Sequence, residues 1–251
     1  MADAISPAMI LNMVPYSERD LILTLLTREH GMVSAMARSA MGSRRRYGGA
    51  LDLFVVFSAN LKLKPEGKLS TLIGAEATRQ FPGILEDLTR LETGQAMLAV
   101  SRDLLRDAPS GPEMFDGIVN ALSMLENEAP ATAHTALVDL CMHILGQIGH
   151  APDTATCPAC RAGFSERPRA FLVAHGAVLC EECAEGHRGM PVSTAVLEAV
   201  GKRDSRVLGH MRTESLAFLT SLLSNILGRS YRIRLGDGFS NAVESPPESS
   251  G

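Results

Sequence analysis

A chain of 251 residues, 45% of them hydrophobic, is long enough for one large domain or two modest ones with a sizeable core. No apolar run approaches a membrane span, and an opening that carries Asp3 and no basic stretch argues against export, so a cytoplasmic protein is expected. The net charge of −4 is unevenly spread: residues 1–80 hold ten Lys/Arg against seven Asp/Glu, a charge of +3, which leaves −7 for the remainder. An anionic partner is therefore expected for the first part only.

Residues 8–80 read as strands. Met9 to Met13 is short and mostly apolar, residues 21–26 alternate, and Gly31 opens a third run, Met32 to Arg38. The clearest period-two pattern covers residues 51–64, where Leu51, Leu53, Val55, Phe57, Ala59, Leu61 and Leu63 share one parity. A turn at Pro65-Glu66-Gly67 returns the chain through Lys68 to Ala77. Five strands in about eighty residues suit a small closed barrel of the OB type over residues 1–80, in which a long strand bends to serve both sides.

Between the third and fourth strands lies a loop, residues 38–49, with Arg38, Arg44, Arg45, Arg46 and Tyr47 set among glycines. Arginine neutralises phosphate, tyrosine offers a stacking face, and glycine lets a backbone approach closely. Loops on OB barrels are docking places for oligonucleotides. Lys62 and Lys64 share one parity with Phe54 and are expected to extend the basic and aromatic surface. A merely solvated basic loop is the alternative.

After Phe81-Pro82-Gly83 the period becomes helical, over residues 84–107, 113–127, 132–149, 193–201 and 213–227. Residues 81–235 thus read as a helical domain, which makes the whole chain α+β. Cys141 falls at helical spacing with Leu137, Leu140, Ile144, Leu145 and Ile148 and reads as core. His134, His143 and His150 have no nucleophile or carboxylate spaced to partner them and read as surface histidines. From Gly236 to Gly251 the chain is Gly, Ser, Pro and acids without a period, which predicts a disordered tail.

Inside the helical part, Cys157–Cys160 and Cys180–Cys183 form two CxxC pairs with nineteen residues between them. This is the spacing of a four-thiolate Zn²⁺ site over residues 157–183. Four sulfurs close the coordination shell and leave no position for water or substrate, so the ion would be structural. A haem attachment would need CxxCH, but Arg161 and Ala184 follow the two pairs, and no βαβ setting supports a thioredoxin-like pair. His175 and His187 lie near enough in sequence to replace one sulfur. Arg203, Arg206 and Arg212 are expected to be solvated, with recognition of an acidic peptide as the alternative. No phosphate-binding GxxxxGK[ST], HExxH or GxSxG motif is present, so no enzyme is expected.

With these residues in view, the chain resembles the bacterial DNA repair protein RecO family over roughly residues 8–235. The resemblance rests on the segment Val14 to Gly31, on the basic loop 38–49 followed by Leu51-Asp52-Leu53-Phe54, and on the order of barrel, helices and inserted CxxC pairs. It implies a recombination mediator without enzymatic turnover, one that binds single- and double-stranded DNA and anneals complementary strands. It also implies partnership with single-stranded-DNA-binding protein and with RecR in loading RecA on gaps, and association with the nucleoid. The rival reading is a protein-interaction adaptor whose helices bind peptides.

Overall fold

The structure, a computed structural model, describes residues 2–235 apart from 41, 43, 66, 107, 109, 110, 168 and 234; at 2, 44, 45 and 166 it describes the backbone only. The tail expected over 236–251 lies outside the described residues.

Five strands close a barrel in the order β1-β2-β3-β5-β4. They are β1 (Ala2–Pro15), β2 (Leu21–Thr27), β3 (Gly31–Ala37), β4 (Val55–Leu63) and β5 (Ser70–Gln80). The parallel pairing of β3 with β5 and the antiparallel closure of β1 on β4 give the OB-type layout. The strand that serves both sides is β1, not the 51–64 segment. Its first half, Ala2 to Met9, pairs with β4, and its second half, Ala8 to Pro15, pairs with β2, with a register shift between Ile10 and Asn12. An extra residue at that point increases the local twist, which turns one long strand around the corner of a small barrel.

The inward parity is as the alternation predicts: Leu21, Leu23 and Leu25 from β2 and Val55, Phe57, Ala59 and Leu61 from β4 are buried in the barrel core. The outward parity is not uniformly polar. Met9, Leu11, Leu26, Phe54 and Val56 belong to a second core shared with the helices. Phe54 takes a left-handed conformation (φ 60°), which ends the alternation and starts β4 at Val55 rather than at residue 51. Its carbonyl accepts the Phe81 N–H at 3.1 Å, and its ring lies against Gly94, where an added Cβ would meet ring carbon Cε1 at 2.7 Å. Phe54 therefore joins barrel to helices and does not extend a basic and aromatic surface.

The helical part follows as α2 (Pro82–Leu85), α3 (Leu88–Leu104), α4 (Pro112–Asn127) and α5 (His134–Gln147), then α6 (Thr194–Lys202), α7 (Ser205–His210) and α8 (Arg212–Leu227). The single helix expected over 84–107 is broken at Glu86–Asp87. Asp87 is extended and its carboxylate accepts the Arg90 N–H at 3.0 Å, so it caps a new helix. A three-stranded sheet, β7-β6-β8, absent from the sequence reading, is inserted between α5 and α6: β6 (Arg169–Leu172), β7 (Val178–Cys180) and β8 (Met190–Ser193). Barrel and helices are also joined by a two-pronged ion pair, in which Arg28 Nε and Nη2 donate to the two Asp116 oxygens at 2.9 and 2.8 Å. Cys141 is fully buried in the helical core, as its spacing predicts, and burial pushes its thiol up.

His134 departs from expectation. It is a buried residue at the start of α5, and its Nε2 lies 3.1 Å from the Leu208 carbonyl, as a neutral ring donating to α7. Burial lowers its basicity below the usual value of 6.5 and outweighs the Leu208 contact, which acts the other way. A base harder to protonate when folded costs stability wherever only the unfolded chain is protonated. Stability is therefore full above about pH 6.5 and falls as the pH drops below it. Melting temperatures of the wild type and His134→Gln, followed from pH 7.5 to about pH 5, should show the steeper acid loss in the wild type. Parallel curves would remove His134 from the acid response.

Candidate nucleic-acid interface and metal centre

The basic loop is built around a buried tyrosine. After β3 the chain turns through Ser39 (φ 52°), whose N–H donates to Asp20 Oδ1 at 2.7 Å, and then forms the short helix α1, Arg44–Tyr47. Tyr47 is only 3% exposed and sits in the barrel core with Ala37, Ala50 and Leu72. Its hydroxyl lies 3.2 Å from the carbonyls of both Arg38 and Leu72. The expected base contact by Tyr47 is thus corrected: a ring enclosed by the barrel offers no face to a base, and it serves to pin the arginine-bearing turn. Arg46 is exposed, with its guanidinium 5.6 Å from the centre of the Tyr47 ring. Arg38 is exposed at the loop's start, and Arg44 and Arg45 lie on α1.

Register brings a lysine to the same side. Gly74 stands opposite Asn60 on the outer face of the barrel, and a Cβ there would lie 3.5 Å from the Arg46 carbonyl, so α1 rests beside this face. Lys62, two residues along β4 from Asn60, is exposed on that face, with Asp3 across the β1 pairing and Thr71 across the β5 pairing. Lys64 follows the end of β4 and lines a separate cleft at the β4–β5 turn, with His30 and Lys68. The chain therefore presents two basic regions, one around α1 and Lys62 and one at the β4–β5 turn.

The four cysteines converge. The sulfurs of Cys157, Cys160, Cys180 and Cys183 all lie within 4.8 Å of one another, a cluster that can hold a metal ion. The two pairs use matching turns: the Cys157 carbonyl accepts the Arg161 N–H at 2.8 Å, and the Cys180 carbonyl accepts the Ala184 N–H at 2.9 Å. Arg161 needs a left-handed backbone (φ 65°) to close the first turn. Cys180 ends β7, paired with Ala170 of β6, so the small sheet holds the second turn in place. Burial opposes ionisation of Cys157, but backbone N–H groups of Cys180, Cys160 and Ala159 point to its sulfur and bring the thiol down to about 6. Cys183 is pushed up to about 12, first by its hydrogen bonds to Cys180 and Cys160. Four converging sulfurs, with Cys157 already favoured as thiolate by N–H donors, form a donor set matched to a soft or borderline cation. Neither His175 nor His187 belongs to the cluster. Glu182, between Cys180 and Cys183 in the chain, pairs with Arg167 at 3.0 Å.

One cluster escaped the sequence reading. Arg102, Asp103, Arg106 and Arg229 line a cavity of about 480 Å³ where α3 ends beside the segment after α8. More than a hundred residues separate Arg229 from the others, and the only local signal is the adjacent pair Arg102-Asp103.

The fold and the two sites define a protein in which an OB-type barrel with basic outer regions is fused to helices that carry a four-cysteine centre. Two family descriptions match the chain, Recombination protein O N terminal over residues 1–81 and Recombination protein O C terminal over residues 85–234. The chain belongs to the Recombination protein O family. Among similar proteins are DNA repair protein RecO of Anaeromyxobacter dehalogenans (strain 2CP-C), 34% identical over 90% of this chain and 92% of the relative, and that of Myxococcus xanthus, 30% identical over 88% and 91%. DNA repair protein RecO of Geobacter sulfurreducens is 31% identical over 84% of this chain and 83% of its own length.

A metal held by all four sulfurs makes its binding energy part of the folding energy. Cys157→Ser should lose the ion and lower the melting temperature. Metal analysis on protein prepared without chelator should find one equivalent in the wild type, and an absence of metal there would refute the site.

Proposed function

We propose that this chain is a DNA repair and recombination mediator that acts by binding rather than by turnover. Arg38, Arg44, Arg45, Arg46, Lys62 and Lys64 contact the phosphates of single- and double-stranded DNA. The observation that carries this reading is the arginine-bearing α1, pinned through Tyr47 to an OB barrel in a chain of the Recombination protein O family. A cationic surface on a rigid barrel lowers the repulsion between two polyanionic strands, so annealing of complementary strands needs no nucleotide hydrolysis. With no Trp and three Tyr in the chain, and Tyr47 enclosed, stacking contributes little and electrostatics carries the affinity.

The family assignment extends the reading to partners. The chain works with RecR and single-stranded-DNA-binding protein to load RecA on gaps, in the cytoplasm and at the nucleoid. Zn²⁺ is the ion for Cys157, Cys160, Cys180 and Cys183, since four thiolates in two CxxC turns suit its tetrahedral shell. It holds the β6–β8 insertion together, and a closed shell leaves it no catalytic role.

Neutralised phosphates release counterions, so binding falls with salt in proportion to the number of contacts. Replacing Arg44, Arg45 and Arg46 together by glutamine should weaken binding of single-stranded DNA on the order of tenfold or more and lower the salt slope by about 2. Anisotropy titrations across a salt series check both. Unchanged affinity and slope would remove the loop from the interface, and no binding by the wild type at moderate salt would favour the adaptor reading.

A further inference from the structure

The arginine cavity at the end of α3 is not an isolated surface feature. Asp103 sits at its centre with a side chain only 7% exposed. Its Oδ1 accepts from Arg102 Nε at 3.0 Å and its Oδ2 from Arg229 Nη2 at 2.7 Å, and Arg106 Nη2 approaches Oδ1 at 4.0 Å. One buried carboxylate thus organises three guanidinium groups that come from α3, from its exit and from the segment after α8. Each guanidinium carries five N–H donors, and the carboxylate engages only a few of them. The remaining edges face the cavity with two positive charges in excess. Arg229 is further steadied over Tyr231, 5.3 Å from the ring centre.

Arg106 also lines the neighbouring cleft, of about 780 Å³, whose opposite wall is the barrel at the β4–β5 turn. Besides Arg106 that cleft is lined by Lys64 and Lys68, with His30 beside them, and its apolar wall includes Ile22, Met32 and Leu63. The two cavities therefore meet at one residue that belongs to both. Among their described lining residues, five Lys/Arg stand against the single acid Asp103.

We infer that these joined cavities form a second phosphodiester-binding track, distinct from the α1 loop, which leads a single nucleic-acid strand from the barrel at Lys64 and Lys68 across Arg106 to Arg102 and Arg229 on the helices. The track deepens the DNA-binding reading above and rests on it. A strand fits both halves. Apolar walls beside lysines accept sugars and base faces in the cleft, while the polar arginine cavity accepts a phosphate through paired N–H donors. An acidic peptide would need only the arginine half and would leave the cleft on the barrel without a use.

Length dependence separates the track from the loop. An oligonucleotide of about 8 nucleotides lies within the span of one OB barrel, and one of about 30 nucleotides reaches beyond it. The test variant is Lys68→Gln with Arg106→Gln, both exposed positions, with the Arg106 side chain 66% exposed. An unchanged melting temperature and zinc content establish that it is folded. Losing two phosphate contacts should weaken binding of the long oligonucleotide on the order of tenfold and flatten its salt slope by about 1.4, with the short one nearly unaffected. Equal affinity and slope for the long oligonucleotide in variant and wild type would overturn the track. So would a variant that binds DNA normally but loses an oligo-aspartate peptide, since the cavity would then be a peptide site. If the glutamine loop variant loses DNA binding while this one does not, the track alone fails; if the wild type binds no oligonucleotide, the underlying DNA reading fails first.

Discussion

The arrangement of the molecule depends on the packing of Phe54 beneath Gly94. The aromatic ring leaves the barrel wall at a left-handed residue and enters the helical core, which is possible only because α3 has no side chain at that point. Met9, Leu11, Leu26 and Val56 follow it, so one outer side of the barrel is covered by helices. A fully buried aromatic residue of this kind is worth about 3–5 kcal/mol to a folded protein. The bidentate Arg28–Asp116 pair adds direction more than energy, because both side chains remain well exposed. With that side of the barrel occupied, the face beside α1 and the cleft at the β4–β5 turn stay open to solvent.

This division explains how an acidic chain can present basic surfaces. Among the described basic side chains of residues 1–80, Arg46 lies on α1, which the Tyr47 hydroxyl pins, and Lys62 follows the outward parity of β4. Of the acids near these supports, Asp20 accepts the Ser39 N–H, and Asp3 stands opposite Lys62. The helical part, negative overall, still gathers three arginines around Asp103, because one buried carboxylate can organise several guanidinium groups without neutralising them all. The four-cysteine centre is built from other residues, within the segment that carries β6 and β7.

Much of this was legible in the amino-acid order, for reasons that differ by element. The inward parity of β4 and the two CxxC turns were readable because each depends on spacing within a few residues. The burial of Phe54 was not, since alternation alone assigns it outward and only the approach of Gly94, forty residues later, encloses it. Tyr47 looked like a stacking platform because it sits among arginines, yet a helix of four residues turns it into the barrel. His134 read as exposed because its cover, α7, was not anticipated; the Asp204 carboxylate caps that short helix at Val207 N–H, too local a signal to stand out. The Arg102, Arg106 and Arg229 cluster had no linear motif to reveal it.

In the proposed function, nucleic acid is held by the barrel's basic regions while the metal centre only maintains shape. Hydrogen exchange of the metal-loaded protein, with and without a saturating single-stranded oligonucleotide, tests both parts together. Exchange should slow in residues 38–49 and 62–72 and stay unchanged in residues 157–183. Protection confined to 157–183, with the barrel segments unchanged, would contradict it.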